Sequence, residues 1–359
     1  MGPKKSNQSS RKSQKNAKSQ NTAKISQLET RQQLKYSSPQ LQQSLLSLLQ
    51  RTFSSVFADY DTLTTTIQTV KANLYARDYR AAFDSPDCLL AYVVRWSSSR
   101  ALAYLHVFGD LCPQIPQLLT ASSQKRVLCV GGGAGGEVLA LAALACDLNA
   151  QNVNISAVDI SDWDDVFARL RSGMAREWQA AAVKLDNAEA SDTANNSISM
   201  QFEQFDILDA PCRLDVTKSH VSLDTEDIAV SISNTAPCLD FSLIDLITIL
   251  FTTNELFAES KPRTMTFLHY ISEVCKPGAL LLIIESAGSY SHIQIGSKTF
   301  PVQLLLDHTL VSESSSSSKK GWEKLIEDDS VWFRVDEKKV TYPLQLENMR
   351  FFMRLYRKL

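Results

Sequence analysis

Residues 126–144 read RVLCVGGGAGGEVLALAAL, an apolar run of strand length, five glycines within six positions, and then a row of helix formers. Such a segment predicts a strand, a tight turn and a helix in direct succession. The alternation repeats downstream. Strands are predicted at RVLCV (126–130), VNISAVDI (153–160), MQFEQFDIL (200–208), LIDLITILF (243–251) and ALLLIIES (279–286). The segments VLALAALACDL, WDDVFARLRSGMAREWQAAAVKL and RTMTFLHYISEVC carry the helical period between them. Apolar strands that alternate with helices imply an α/β fold whose parallel sheet is covered on both faces. Near the end, SVWFRVDE and MRFFMRLYRKL alternate in polarity, which predicts antiparallel strands completing that sheet.

Upstream of the glycines the pattern is helical. Leu41, Leu45, Leu48, Leu49, Phe53, Val56 and Phe57 follow the amphipathic period, and VKANLYARDYRAAF (70–83), CLLAYVVRW and ALAYLHVF continue it. The stretch CPQIPQLLTASSQ then separates this part from the first strand. Three regions are therefore expected: a basic tail over 1–38, a helical extension over 39–122 and an α/β domain over 123–359. Residues 186–197 (DNAEASDTANNS) and 312–320 (SESSSSSKK) are too polar for a core and are expected to be disordered insertions.

The net charge of −2 conceals an asymmetry. Lys4, Lys5, Arg11, Lys12, Lys15, Lys18 and Lys24 put seven cations and no acid into residues 1–24, which leaves −9 for the rest. A Ser- and Gln-rich basic segment cannot repay its ordering entropy and is expected to be disordered, serving solubility or targeting, or contacting nucleic acid. No run of eighteen apolar residues and no signal-peptide centre is present, so an intracellular protein without a membrane partner is expected. The seven cysteines (88, 112, 129, 146, 212, 238 and 275) stand singly, without zinc-site spacing, so no metal and reduced thiols are expected.

A strand followed by Gly131, Gly133 and Gly135 suits a nucleotide-type cofactor, and Gly131, Gly133 and Gly136 fit the dinucleotide fingerprint as well. Glu137 separates the two. A pyrophosphate at the start of the next helix would face its carboxylate, whereas the sulfonium of S-adenosylmethionine carries no phosphate and tolerates an acid. Antiparallel closing strands also depart from the dinucleotide pattern.

With these segments in this order, the chain resembles the class I S-adenosylmethionine-dependent methyltransferases, a Rossmann-like, mostly parallel sheet, here with a helical N-terminal extension. That resemblance implies that Asp159, ending the second strand, holds the ribose hydroxyls, and that Asp206 and Ile207, ending the third, contact the adenine. Taken alone each acid also reads as a solvated loop residue. Many members carry an acid two residues before the first glycine, where this chain has Cys129. Asp209-Ala210-Pro211-Cys212 matches the tetrapeptide that bears the nucleophile of RNA cytosine-C5 methyltransferases, but Arg213, Leu214 and the absence of a second cysteine near Glu285 depart from it.

Longer stretches, VKANLYARDYRAAF, AYVVRWSSSRALAY, LITILFTTNELF, KPGALLLIIESAGSYS and YPLQLENMRFF, resemble the fungal large-subunit ribosomal RNA uracil-N3 methyltransferases between about 65 and 355. The resemblance implies a nuclear, nucleolar enzyme acting on ribosomal RNA or a pre-ribosomal particle, and a monomer is expected. A uracil imide nitrogen must lose its proton to become a nucleophile, which requires a base but no covalent residue. Glu255 is the candidate base and Asn254 a candidate for the uracil edge. The competing reading makes Asn254 a helix cap. Arg95, Trp96 and Arg100 in RWSSSRA, with Tyr290, are the candidate substrate contacts; Arg100 in a first helical turn has reason to seek an anion. A catalytically silent assembly factor and a small-molecule methyltransferase are the rival functions.

Overall fold

β1 (Lys125–Val130) lies between β2 (Val153–Asp159) and β4 (Leu246–Leu250), parallel to both. The computed structural model describes residues 35–185, 198–211, 239–288, 291–295, 297–311 and 321–359. β3 (Ile198–Gln204) flanks β2, and β5 (Leu280–Ser286) flanks β4. Two antiparallel strands, β9 (Met349–Lys358) and β8 (Trp322–Phe333), complete the order β3-β2-β1-β4-β5-β9-β8. The chain winds one way from β1 to β3 and the other way from β4 onward. The carboxyl ends of β1 and β4 therefore open a crevice, the place where open α/β sheets take ligands.

The strands are apolar at nearly every position because both faces are covered. Val127, Cys129, Leu250, Leu282 and Ile284 pack on one side with the helix Gly136–Asp147 and the helical extension. Leu128, Val130, Ile247, Ile249, Leu281 and Ile283 pack on the other with the helices Lys261–Val274 and Val302–Val311. Alternate residues thus feed two cores across one sheet.

The extension consists of helices Pro39–Thr52, Tyr60–Tyr75, Tyr79–Ala82, Pro86–Tyr92, Ser98–His106 and Gln114–Leu119, with π-helical turns at Val93–Ser97 and Val107–Leu111. Asp110 holds its entry. It accepts the backbone N–H groups of Lys35 and Tyr36 at 2.8 and 3.0 Å, and that of Ser37 at 3.2 Å. Residues 35–38, counted with the tail in the sequence, are anchored in this way. Ser38 then caps the first helix through Leu41 N–H.

The elements differ from the sequence reading in several places. β4 spans Leu246–Leu250 rather than 243–251, because Asp240 caps a 3-10 turn over Phe241–Leu243. β3 ends at Gln204 rather than near 208, because the Asp206 carboxylate accepts Leu208 N–H and turns Ile207–Asp209 into a 3-10 helix. β8 starts at Trp322, well before the predicted segment, since two bulges and the acidic run Glu327–Asp329 break its alternation. The hairpin β6 (His292–Ile295) and β7 (Lys298–Pro301) was not foreseen; strands of four residues carry too little period to register. Residues 1–34, 186–197 and 312–320, together with Cys212 and Tyr290, lie outside the described residues.

Candidate active site

Gly131 and Gly135 take φ of +71° and +74°, a left-handed conformation that favours glycine. The freedom at this turn serves packing too. A Cβ on Gly131 would stand 2.3 Å from Thr252 Oγ1, and one on Gly133 would stand 2.0 Å from Trp163 Cδ1. Trp163, Phe83 and Tyr92 form an aromatic group over this turn, with ring centroids 5.5 Å (Phe83 to Trp163) and 6.1 Å (Tyr92 to Trp163) apart. Asp159 binds the turn to the end of β2: Oδ2 accepts Gly133 N–H at 3.2 Å, and Oδ1 accepts Ser161 N–H at 3.1 Å. Burial raises its pKa against those two bonds.

A cavity of about 1000 Å³, counting its open mouth, occupies the crevice. Gly131, Ala134, Asp159, Asp206, Ile207 and Glu255 line it from the sheet side, while Tyr79, Arg80, Tyr92 and Arg100 line it from the helical extension. The extension is therefore a wall of the site. Arg100 lies over the rings of Tyr92 and Phe251, at 5.5 and 5.3 Å, and donates to the Tyr92 hydroxyl. Among the described residues it makes no ion pair. Asp206 accepts a 2.9 Å bond from Arg263, which also reaches Asp209 at 2.7 Å.

Glu255 owes its place to an unusual backbone. Phe251, just past β4, takes φ of +58°, a strained conformation for a bulky residue, and turns the chain into the helix Thr253–Glu259. Burial first, then the negative charges of Asp159 and Glu285, push the Glu255 carboxyl up to about 8, with Arg100 pulling the other way. Asn254 is neither the cap, which is Thr252, nor a cavity residue. Its backbone N–H donates to Glu285 Oε2 at 3.0 Å and its Nδ2 to Ser291 Oγ at 3.1 Å. Glu285, only 2% exposed, fastens the end of β5 to this helix.

Glu137 is 3% exposed and lies beneath the turn beside Cys129, off the cavity wall. Its Oε1 has no partner, and burial lifts the carboxyl to about 8 despite Thr248 and Arg100. Arg95 and Trp96 do not line the cavity. Arg95 binds Glu347 and Gln345 O, which ties the segment before β9 to the extension, and Trp96 stacks on Tyr92 at 5.2 Å. Sequence reasoning missed Tyr79, Tyr92, Trp163 and Glu285, each of which reads as ordinary core or loop until the chain folds. Among the described residues no His, Cys, Asp or Glu group is arranged to hold a metal ion, and no helix is long and apolar enough to cross a membrane.

The donor set fits S-adenosylmethionine. Carboxylates at the ends of β2 and β3 suit hydroxyl and amino donors, Val158, Ile160 and Ile207 offer apolar faces to an adenine, and the unpaired Arg100 suits a carboxylate. A pyrophosphate would meet the acids instead.

A mostly parallel sheet with this switch point and two antiparallel closing strands, a glycine turn and strand-end carboxylates has the class I methyltransferase architecture. A family model described as "Putative SAM-dependent methyltransferase" matches residues 49–357. The 25S rRNA (uridine(2843)-N(3))-methyltransferase of Saccharomyces cerevisiae is 38% identical over 317 residues, which cover 82% of this chain and 78% of that protein. The chain belongs to this family of S-adenosylmethionine-dependent methyltransferases. Among solved structures, TehB from Haemophilus influenzae aligns at TM-score 0.35 and 17% identity over 70% of this chain and 60% of that one. A methyltransferase from Clostridium acetobutylicum aligns at 0.33 and 11% over 80% and 98%.

Proposed function

We propose that this chain methylates N3 of a uridine in large-subunit ribosomal RNA. The observation that carries this reading is the 38% identity to the yeast uridine-N3 enzyme across 82% of the chain. S-adenosylmethionine supplies an electrophilic methyl group at the carboxyl edge of the sheet. Asp159 holds its ribose hydroxyls, Asp206 and Ile207 its adenine, and Arg100 its carboxylate, with Gly131, Gly133 and Gly135 shaping the turn. Glu137 supports that turn from beneath.

Glu255 accepts the imide proton. A carboxyl raised to about 8 is matched to that task near neutral pH, because it binds a proton firmly yet is ionised often enough to act. Asn254, held by Glu285 and Ser291, positions the helix that bears it. In this reading the enzyme acts as a monomer in the nucleolus on ribosomal RNA or a pre-ribosomal particle, residues 1–38 contribute charge toward RNA, and residues 39–122 and 123–359 form the extension and the catalytic domain.

Mass spectrometry of ribosomal RNA nucleosides from cells lacking the protein is the direct test. Loss of one N3-methyluridine, restored by the wild type but not by Glu255→Gln, is the expected result. An unchanged nucleoside profile would favour a silent assembly factor.

A further inference from the structure

Trp332 is 53% exposed near the end of β8, on the sheet's edge strand. Its neighbour Phe333 is buried on the opposite face, against His106 at 5.9 Å. Strand alternation therefore turns the Trp332 ring to solvent. Two guanidiniums crowd that ring, Arg334 at 5.0 Å and Arg350, its cross-strand partner on β9, at 5.6 Å.

Two cations around one exposed ring repel each other unless an anion joins them. Among the described residues neither makes an ion pair; Arg350 donates only to Ser330 Oγ, at 2.9 Å. Of the acids near it in the chain, Glu327 and Asp329 face Arg354, Asp336 faces Lys339 and Asp328 accepts Ser330 N–H, and neither Asp328 nor Glu337 is ion-paired to the two arginines. The cluster keeps its positive charge.

Its position matters as much as its charge. β9 runs antiparallel to β5, with Phe351 opposite Ser286, and Ala287 N–H donates to Arg350 O at 3.2 Å. Arg350 and Trp332 thus stand at the edge where β4 and β5 end, the same edge that bears the cavity.

We propose that Trp332, Arg334 and Arg350 form a docking platform for a single-stranded stretch of the substrate RNA beside the methylated nucleotide. The proposal rests on the ribosomal RNA reading. The ring stacks one base, and the guanidiniums take the flanking phosphates, the pairing by which single strands are held without a sequence code. An acidic protein surface would use the cations but leave the ring unexplained.

The test is fluorescence anisotropy of the full-length protein with a labelled single-stranded RNA oligonucleotide over a range of salt. Trp332→Ala should lower affinity about tenfold, the scale of one base–aromatic stack, and Trp332→Phe should recover most of it. The Arg334→Ala/Arg350→Ala pair should reduce the slope of log affinity against log salt by about 1.4, for two phosphates. Calorimetry should give unaltered S-adenosylmethionine affinity for all these variants, which reports that they are folded. If the wild type binds RNA and the variants match its affinity and slope, the platform is overturned and the RNA reading stands. If the wild type binds no single-stranded RNA, the platform is likewise overturned, while the ribosomal RNA reading is decided by the nucleoside profile.

Discussion

Glu255 and Asp159 were legible in the sequence as cavity candidates because Asp159 ends β2 and Glu255 follows β4, and strand ends are where an open sheet meets its ligand. Both line the cavity. Their protonation was not legible. For Asp159 it depends on burial set against the backbone N–H groups it accepts, and for Glu255 on burial and then on the charges of Asp159, Arg100 and Glu285, which come from distant parts of the chain. Loss of the Glu255 carboxylate should slow the transfer step itself. Glu255→Gln is expected to reduce the single-turnover rate by about a hundredfold or more, with S-adenosylmethionine affinity retained, and raising pH should recover part of it by ionising uracil in solution. In the wild type the rate should climb as pH rises toward about 8, where the carboxylate becomes the dominant form. A flat profile with a normal melting curve would remove Glu255 from the role of base.

At the scale of elements, the glycine turn is the clearest case of a motif with two causes. Its left-handed positions satisfy the chain reversal, and its bare Gly133 admits Trp163 from the loop after β2. Only the first cause shows in a local sequence pattern. Gly133→Ala places a methyl group inside the Trp163 ring's contact distance, so it should cost about 1–3 kcal/mol of stability, as overpacking does. It should also weaken cofactor binding, because Gly133 N–H is bonded to Asp159. Chemical denaturation beside calorimetry checks both; a fully stable variant would show that Trp163 moves freely. The helix Thr253–Glu259 teaches a related point. The competing reading of Asn254 as a cap starts it at Glu255, two residues late, whereas the left-handed Phe251 and the buried Glu285 set the start at Thr253.

For the whole molecule, the buried acids couple fold to proton concentration. Glu137 and Glu255 each hold a proton up to about 8 in the folded state, whereas in the unfolded chain they ionise near 4.5. The folded protein therefore binds more protons between those values, and stability should fall as pH rises through that window and level off above it. Glu137→Gln removes one of the two groups while keeping its shape, so the variant should gain stability relative to the wild type at pH 8 and show a shallower decline. Thermal melting across the window measures this. Identical slopes for the two proteins would mean that Glu137 is ionised and paired inside the fold.

Sequence alone determined the α/β architecture, the glycine turn, the acids at the strand ends and the helical character of residues 39–122. These follow from periodicity and local backbone chemistry, which act over a few neighbouring residues. Tertiary structure alone decided that the extension forms a wall of the cavity. Tyr79, Tyr92 and Arg100 meet Asp159 and Glu255 across large separations in the chain, while Arg95, from the same RWSSSRA segment as Arg100, is drawn to Glu347 instead. One helix presents different faces to different neighbours, and no local pattern states which face will meet which. The same reason hid Trp332: its exposure, its two arginines and its place at the cavity-bearing end of the sheet depend on the register of β8 against β9 and of β9 against β5.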